Sequence, residues 1–81
     1  SELEGFADFI MQLPKYLTKG GKLALLTFHS IEDRIVKQRL NQLKSAGLVN
    51  IIKPYPMFPT EEEINENSAS APAKLRIAEV A

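Results

Sequence analysis

Hydrophobic positions near the start of the chain fall at Leu3, Phe6, Ile10, Leu13 and Leu17. Spacings of three and four put them on one face of a helix. Pro14 lies inside that stripe, and its ring removes a backbone donor and crowds the preceding turn, so a break or kink is expected there. Lys19-Gly20-Gly21 closes the segment, because glycine accepts the left-handed backbone at which helices stop. The pattern then changes. Residues 22–28 are nearly continuous in apolar character and predict a fully buried strand. From Ser30 the helical period returns, with Ile31, Ile35, Val36, Leu40 and Leu43 on one side. Ser30 and Asp33 have the spacing of a capping box, with aspartate in the usual Glu/Gln position. Glu32 and Asp33 in the first turn and Lys44 in the last suit the helix dipole. Gly47 fits the position just past the helix, with Leu48 placed to pack back on the last turn.

Residues 48–53 read as a second apolar strand. Pro54, Pro56 and Pro59 oppose regular pairing, so 54–59 is expected to be extended loop. Thr60 can cap a short helical turn through Glu61–Glu63, and Asn65 to Pro72 is small and polar, hence loop. From Ala73 to Val80 apolar and polar residues alternate. This predicts a third strand with Leu75, Ile77 and either Ala78 or Val80 inward, and Lys74, Arg76 and Glu79 outward. The order helix, strand, helix, strand, short helix, strand defines an α/β chain. Its first two strands form a right-handed parallel unit, and its third is free to run antiparallel.

Composition narrows the picture. A chain of 81 residues makes one small domain, hiding about 60% of the surface it exposes when unfolded. Without cysteine there is no disulfide and no thiol-based metal or redox site. No apolar run approaches the roughly 20 residues that span a bilayer, and the acidic start Ser1-Glu2-Leu3-Glu4 fits no signal or transit peptide, so a soluble chain is expected. Ten basic and ten acidic residues cancel. Their distribution is uneven: residues 14–58 carry eight Lys/Arg against Glu32 and Asp33, while 59–73 hold four Glu and no base. Such a basic middle is either a weak RNA-facing patch or ordinary solvated surface.

In open α/β sheets, ligands gather beyond the carboxyl ends of the strands, which singles out Thr27 to Ser30. His29, the one histidine, is the catalytic candidate: it can hydrogen-bond or accept a proton at that rim, or simply bond to backbone at the strand–helix junction. Ser30 and Asp33 are assigned structural capping, since no base is spaced to activate the serine. Glu61–Glu63 has no histidine or further carboxylate beside it, and no metal site is expected.

The block Phe28-His29-Ser30-Ile31-Glu32-Asp33-Arg34-Ile35-Val36-Lys37 closely resembles, with one Leu-to-Ile change, a signature of the bacterial small-subunit rRNA cytosine-N4 methyltransferases. Ser1-Glu2-Leu3-Glu4, Lys53-Pro54 with Pro59-Thr60-Glu61-Glu62-Glu63-Ile64, and Ala73-Lys74-Leu75-Arg76-Ile77-Ala78-Glu79 resemble further blocks of the same family, in order. The resemblance implies a three-layer fragment of a class I, Rossmann-like methyltransferase fold, with two main helices and a three-stranded mixed sheet in the order first, third, second, the third antiparallel in the middle. It implies that residues 1–81 are the C-terminal segment of a catalytic domain, acting on small-subunit rRNA with S-adenosylmethionine, in the bacterial cytoplasm or an organelle. The family's glycine-rich donor loop, acidic ribose contact and acceptor-positioning motif precede the matched region. The donor is therefore expected to bind the parent enzyme and not this chain alone.

Gly20-Gly21 does not replace that loop, because it precedes a strand instead of following one. Where the family reads Asn-Pro-Arg-Ser-Arg-Ser-Ala-Lys-Leu-Arg, this chain has Ala69 and Ala71 in place of both loop arginines. Lys74 and Arg76 remain as candidates for RNA phosphate, and Phe28, His29, Tyr55 and Phe58 as stacking surfaces for a base. No membrane partner is expected. A homodimer through an exposed strand edge or helix is one expectation. A non-catalytic module docking on RNA or protein is the alternative to an enzyme segment.

Overall fold

The computed structural model describes residues 2–81. Ser1, the first residue of the helix-entry block, lies outside the described residues. Helix α1 (Glu2–Gln12) opens with Glu2 and Glu4 in its first turn, and the chain tightens into a 3-10 turn over Leu13–Tyr16 where Pro14 intervenes. Phe6, Ala7, Ile10 and Leu13 face the core, whereas Leu3 and Leu17, the two ends of the expected stripe, are 46% and 38% exposed. The turn into the first strand uses a left-handed Gly20 at φ 85°, and Gly20 N–H donates to the Val80 carbonyl at 2.9 Å.

Strand β1 (Lys22–Thr27) leads through Phe28 and His29 into helix α2 (Ser30–Ser45). Val36, Leu40 and Leu43 form the buried side of α2, while Ile31 is 56% exposed. The helix stops as expected. Gly47 takes φ 76°, its N–H donates to the Lys44 carbonyl at 2.9 Å, and Leu48 N–H reaches the Leu43 carbonyl at 3.0 Å. Leu48 itself stays 51% exposed, so backbone bonding fixes this turn without the expected packing.

Strand β2 (Val49–Met57) is longer than the sequence suggested. Regular pairing runs from Val49 to Ile52, then the register shifts before Met57 pairs with Leu75. Pro54 and Pro56 fall in the bulged stretch between, where no ladder N–H is demanded, and β2 is an edge strand. Extended structure therefore continues through prolines that looked like its end. Helix α3 (Glu61–Glu66) has the capping box of Thr60 and Glu63, and a 3-10 turn at Ser68–Ser70 leads to strand β3 (Lys74–Val80).

The sheet order is β1-β3-β2, the expected order, with β3 antiparallel to both neighbours. Every pairing is thus antiparallel, and the expected mixed sheet is corrected. β1 and β2 run the same way but do not touch as neighbours. Ile10, Leu23, Val36, Leu40, Leu43, Val49 and Ala78 form a single core between the sheet and the α1–α2 pair. Only this face is covered, so the described residues make two layers where three were expected.

Two expectations change with it. β1 is half-buried, not fully buried: Leu23 and Thr27 face the helices, while Leu26 is 57% exposed on the open face. In β3 the assignment of Leu75, Ile77 and Arg76 is inverted, while Ala78 lies inward as one of the two expected alternatives. Arg76 and Ala78 turn toward the helices at 5% and 0% exposure, and Leu75 and Ile77 are only partly buried. A period of two fixes which residues share a face but not which face is the core. Here the guanidinium goes inward because a carboxylate waits there.

β1 has an unpaired outer edge beside the exposed Leu26, an arrangement that invites pairing with another chain. Sedimentation should show concentration-dependent self-association. A monomer at all concentrations, with slow amide exchange along residues 22–27, would show that the chain protects this edge unaided.

Candidate functional site

The rim forms where β1 gives way to α2. Thr27 is the last residue of the strand and is buried. His29 occupies the N-cap with extended backbone, and its carbonyl accepts from Asp33 N–H at 3.0 Å. No side-chain hydrogen bond caps this helix. The expected Ser30–Asp33 capping box is therefore absent: Ser30 is the first helical residue, and the Asp33 carboxylate is engaged elsewhere.

That engagement organises the site. Arg76 Nε donates to Asp33 Oδ1 at 2.8 Å and its Nη2 to Oδ2 at 3.0 Å, a bidentate pair between the first turn of α2 and the central strand. Thr27 Oγ1 donates to Asp33 Oδ1 at 3.2 Å, and Lys74 Nζ lies 3.7 Å from Oδ2. The Arg76 hydrogen bonds hold the Asp33 carboxyl below its ordinary pKa against the opposing effect of burial, and the same bonds push Arg76 further up.

On its other side the Arg76 guanidinium carbon sits 4.6 Å from the centre of the Tyr55 ring. The guanidinium lies over the ring face, and the buried Tyr55 hydroxyl has no hydrogen-bond partner among the described residues. Burial raises the tyrosine pKa, and the neighbouring Arg76 charge pulls the other way. Arg76 is consumed by this cluster and is not free for RNA phosphate. Tyr55, expected as a stacking surface, is turned into the cluster too. Lys74 remains partly exposed.

Two cavities open beside the cluster. One of about 240 Å3 is bordered by Phe28, His29, Ser30, Asp33, Phe58 and Lys74. A second of about 330 Å3, more apolar, lies over the open sheet face against Leu26, Met57 and Leu75. Phe28 and Phe58 border both, and are 44% and 65% exposed. The structure thus brings His29, Ser30, Asp33 and Lys74 to one hollow with two accessible aromatic rings. Ala71, at one of the two loop positions where arginine was expected, lines the same hollow, while Ala69 N–H is held at 3.1 Å by the Asn67 side chain.

Among the described residues no group of three His, Cys, Asp or Glu side chains is placed to hold a metal ion, and no helix is long and apolar enough to cross a membrane. Of the glycine pair, Gly20 is set by its left-handed backbone, with open space beside it, and Gly21 by a close approach. A Cβ on Gly21 would lie 3.0 Å from the Thr18 carbonyl oxygen and 3.2 Å from Leu17 Cβ, so its bare backbone answers its own turn.

The Asp33–Arg76 pair was the feature that sequence reasoning missed. A signal existed: Asp33 stands on the spacing 33, 36, 40, 43 of the buried helix side, and Arg76 shares its strand face with Ala78. Opposite charges at two inward positions imply each other.

A small α/β unit with this rim is the class that fold and site define. Residues 1–81 match the MraW methylase family, to which the chain belongs. It is 44% identical over 78 residues to the ribosomal RNA small subunit methyltransferase H of Elusimicrobium minutum, covering 96% of this chain and 27% of that protein. The proteins of the same name from a Nostoc species and from Pseudothermotoga lettingae are 42% and 37% identical, over 96% and 98% of the chain and 25% and 26% of their own lengths. The chain spans about a quarter of the curated relatives it matches.

A carboxylate with a lower pKa folded than unfolded binds fewer protons when folded. It therefore stabilises the fold above pH about 4, and that contribution is lost as pH falls through the folded value. Asp33→Asn should flatten the acid limb of the melting temperature against pH. Asp33→Ala should cost about 3 kcal/mol at neutral pH by stranding Arg76, whereas Ser30→Ala should stay within about 0.5 kcal/mol because no cap is lost. Thermal melting across pH checks the first outcome, and chemical denaturation of the variants checks the other two.

Proposed function

We propose that this chain is the C-terminal part of an S-adenosylmethionine-dependent rRNA cytosine-N4 methyltransferase, in a Rossmann-like catalytic domain, and that its rim supplies one wall of the target-base site. The observation that carries the reading is the convergence of Phe28, Phe58 and His29 on one hollow, in a chain of the methylase family. A base must leave its stack before its amine can be reached, and aromatic faces offset that cost. In this reading Phe28 and Phe58 are the stacking surfaces, Lys74 attracts the phosphate, and His29 accepts the proton released from the amine. The amine is a poor nucleophile because its lone pair is delocalised into the ring, so holding it in line is the main demand on this wall.

The donor does not fit these residues. Neither glycine of the Gly20-Gly21 pair follows a strand into a helix, and the space beside Gly21 is filled by its own turn. In this reading the donor contacts belong to the remaining three-quarters of the family's length, and α1, α2 and the sheet supply support and the acceptor side.

Replacing the matching quarter of the Elusimicrobium minutum relative with this chain should preserve methylation of small-subunit rRNA. Phe28→Ala with Phe58→Ala in that chimera should lower turnover about tenfold or more, as loss of base stacking predicts. A folded chimera without activity, or one indifferent to both substitutions, contradicts the reading. Calorimetry on the chain alone should find no S-adenosylmethionine binding tighter than about 100 μM, near −5.5 kcal/mol.

A further inference from the structure

A third hollow, of about 380 Å3, lies between the last turns of α2 and the bulged part of β2, with Asn41, Lys44, Asn50, Lys53 and Tyr55 on its walls. Its chemistry differs from the rim. Two lysines line it from different elements, and no carboxylate residue does. Among the described residues neither lysine is in an ion pair, and neither asparagine side chain is hydrogen-bonded within the chain. The position follows from the fold. The register shift after Ile52 lifts Lys53 out of the ladder, and β2 is a sheet edge, so an extended ligand can run past it.

Tyr55 lines this hollow and also stacks on Arg76, whose partner Asp33 borders the rim cavity. The two hollows therefore flank one charged cluster. The basic excess of residues 14–58 also finds a place here, since Asp33, one of only two acids in that stretch, is already neutralised by Arg76.

We propose that this hollow is a phosphate-binding site for single-stranded RNA, gripping the backbone away from the base held at the rim. Lys44 and Lys53 neutralise phosphate charge and the Asn41 and Asn50 carboxamides donate to its oxygens, contacts that position a strand without reading its sequence. The site rests on the reading above only for the choice of RNA as the polyanion.

The test is binding of a fluorescein-labelled octacytidylate to the 81-residue chain, followed by anisotropy from about 50 to about 200 mM salt. Lys44→Gln with Lys53→Gln should reduce the slope of log affinity against log salt by about 1.4, roughly 0.7 for each lost contact. Lys44→Arg with Lys53→Arg should keep it. Lys44 also sits at the negative end of α2, and a lysine that only answers the helix dipole would change the unfolding midpoint and leave the slope intact, which overturns the site. No octacytidylate binding, an unchanged slope, or amide shifts at 44 and 53 with inorganic phosphate but not with octacytidylate overturns it as well. The readout is binding, not methyl transfer, so it fails or succeeds independently of the methyltransferase reading.

Discussion

The ion pair between Asp33 and Arg76 is the contact through which the elements of this chain meet. A guanidinium on the central strand, facing the helices at 5% exposure, loses most of its hydration, and an uncompensated charge there would be strongly destabilising. Asp33 answers it with two hydrogen bonds, Thr27 adds one from the end of β1, and the Tyr55 ring of β2 covers the guanidinium face. All three strands and α2 therefore contribute to a single polar cluster beside an otherwise apolar core. An apolar contact tolerates sliding. A bidentate pair does not, so the cluster fixes where α2 begins relative to β1 and β3.

The rim inherits its shape from that constraint. His29 and Ser30 sit where they do because Asp33, one turn on, is tied to the sheet. Lys74 is kept close by the same carboxylate. Phe28 and Phe58, which border both cavities of the rim, remain accessible because the covered face of the sheet is the opposite one. The open face belongs to a chain that spans about a quarter of the relatives described above, each named a ribosomal RNA small subunit methyltransferase. Membership of the MraW methylase family and an aromatic rim support the same proposal, an acceptor-side wall in a larger enzyme.

Much of the fold was legible from local rules, because those rules act within a few residues. The break at Pro14, the stop at Gly47 and the Thr60 cap appeared as these rules indicated, whereas the strand order came from the family resemblance. What misled was information that only tertiary structure carries. The alternation of β3 named two faces but left their assignment open, and hydrophobicity chose the wrong one for Leu75 and Ile77 because the buried partner of Arg76 lies 43 residues away. Asp33 was taken for a cap for the same reason: its local hydrogen-bonding option was visible and its distant one was not. The prolines of β2 pointed to a loop, since a bulge at a sheet edge leaves no mark in the sequence beyond the prolines themselves. At the site, His29, Ser30, Asp33 and Lys74 do converge, whereas Arg76 and Tyr55 serve the fold.

The central claim, that one buried ion pair sets the geometry of this chain, is tested most directly by a double-mutant cycle. Asp33→Asn, Arg76→Gln and the double variant would be unfolded in denaturant at neutral pH. The account predicts a coupling energy of about 2 kcal/mol or more, with the double variant costing clearly less than the sum of the single ones. Single costs that add to within about 0.5 kcal/mol would contradict it, leaving the pair a bystander to a fold held by its apolar core.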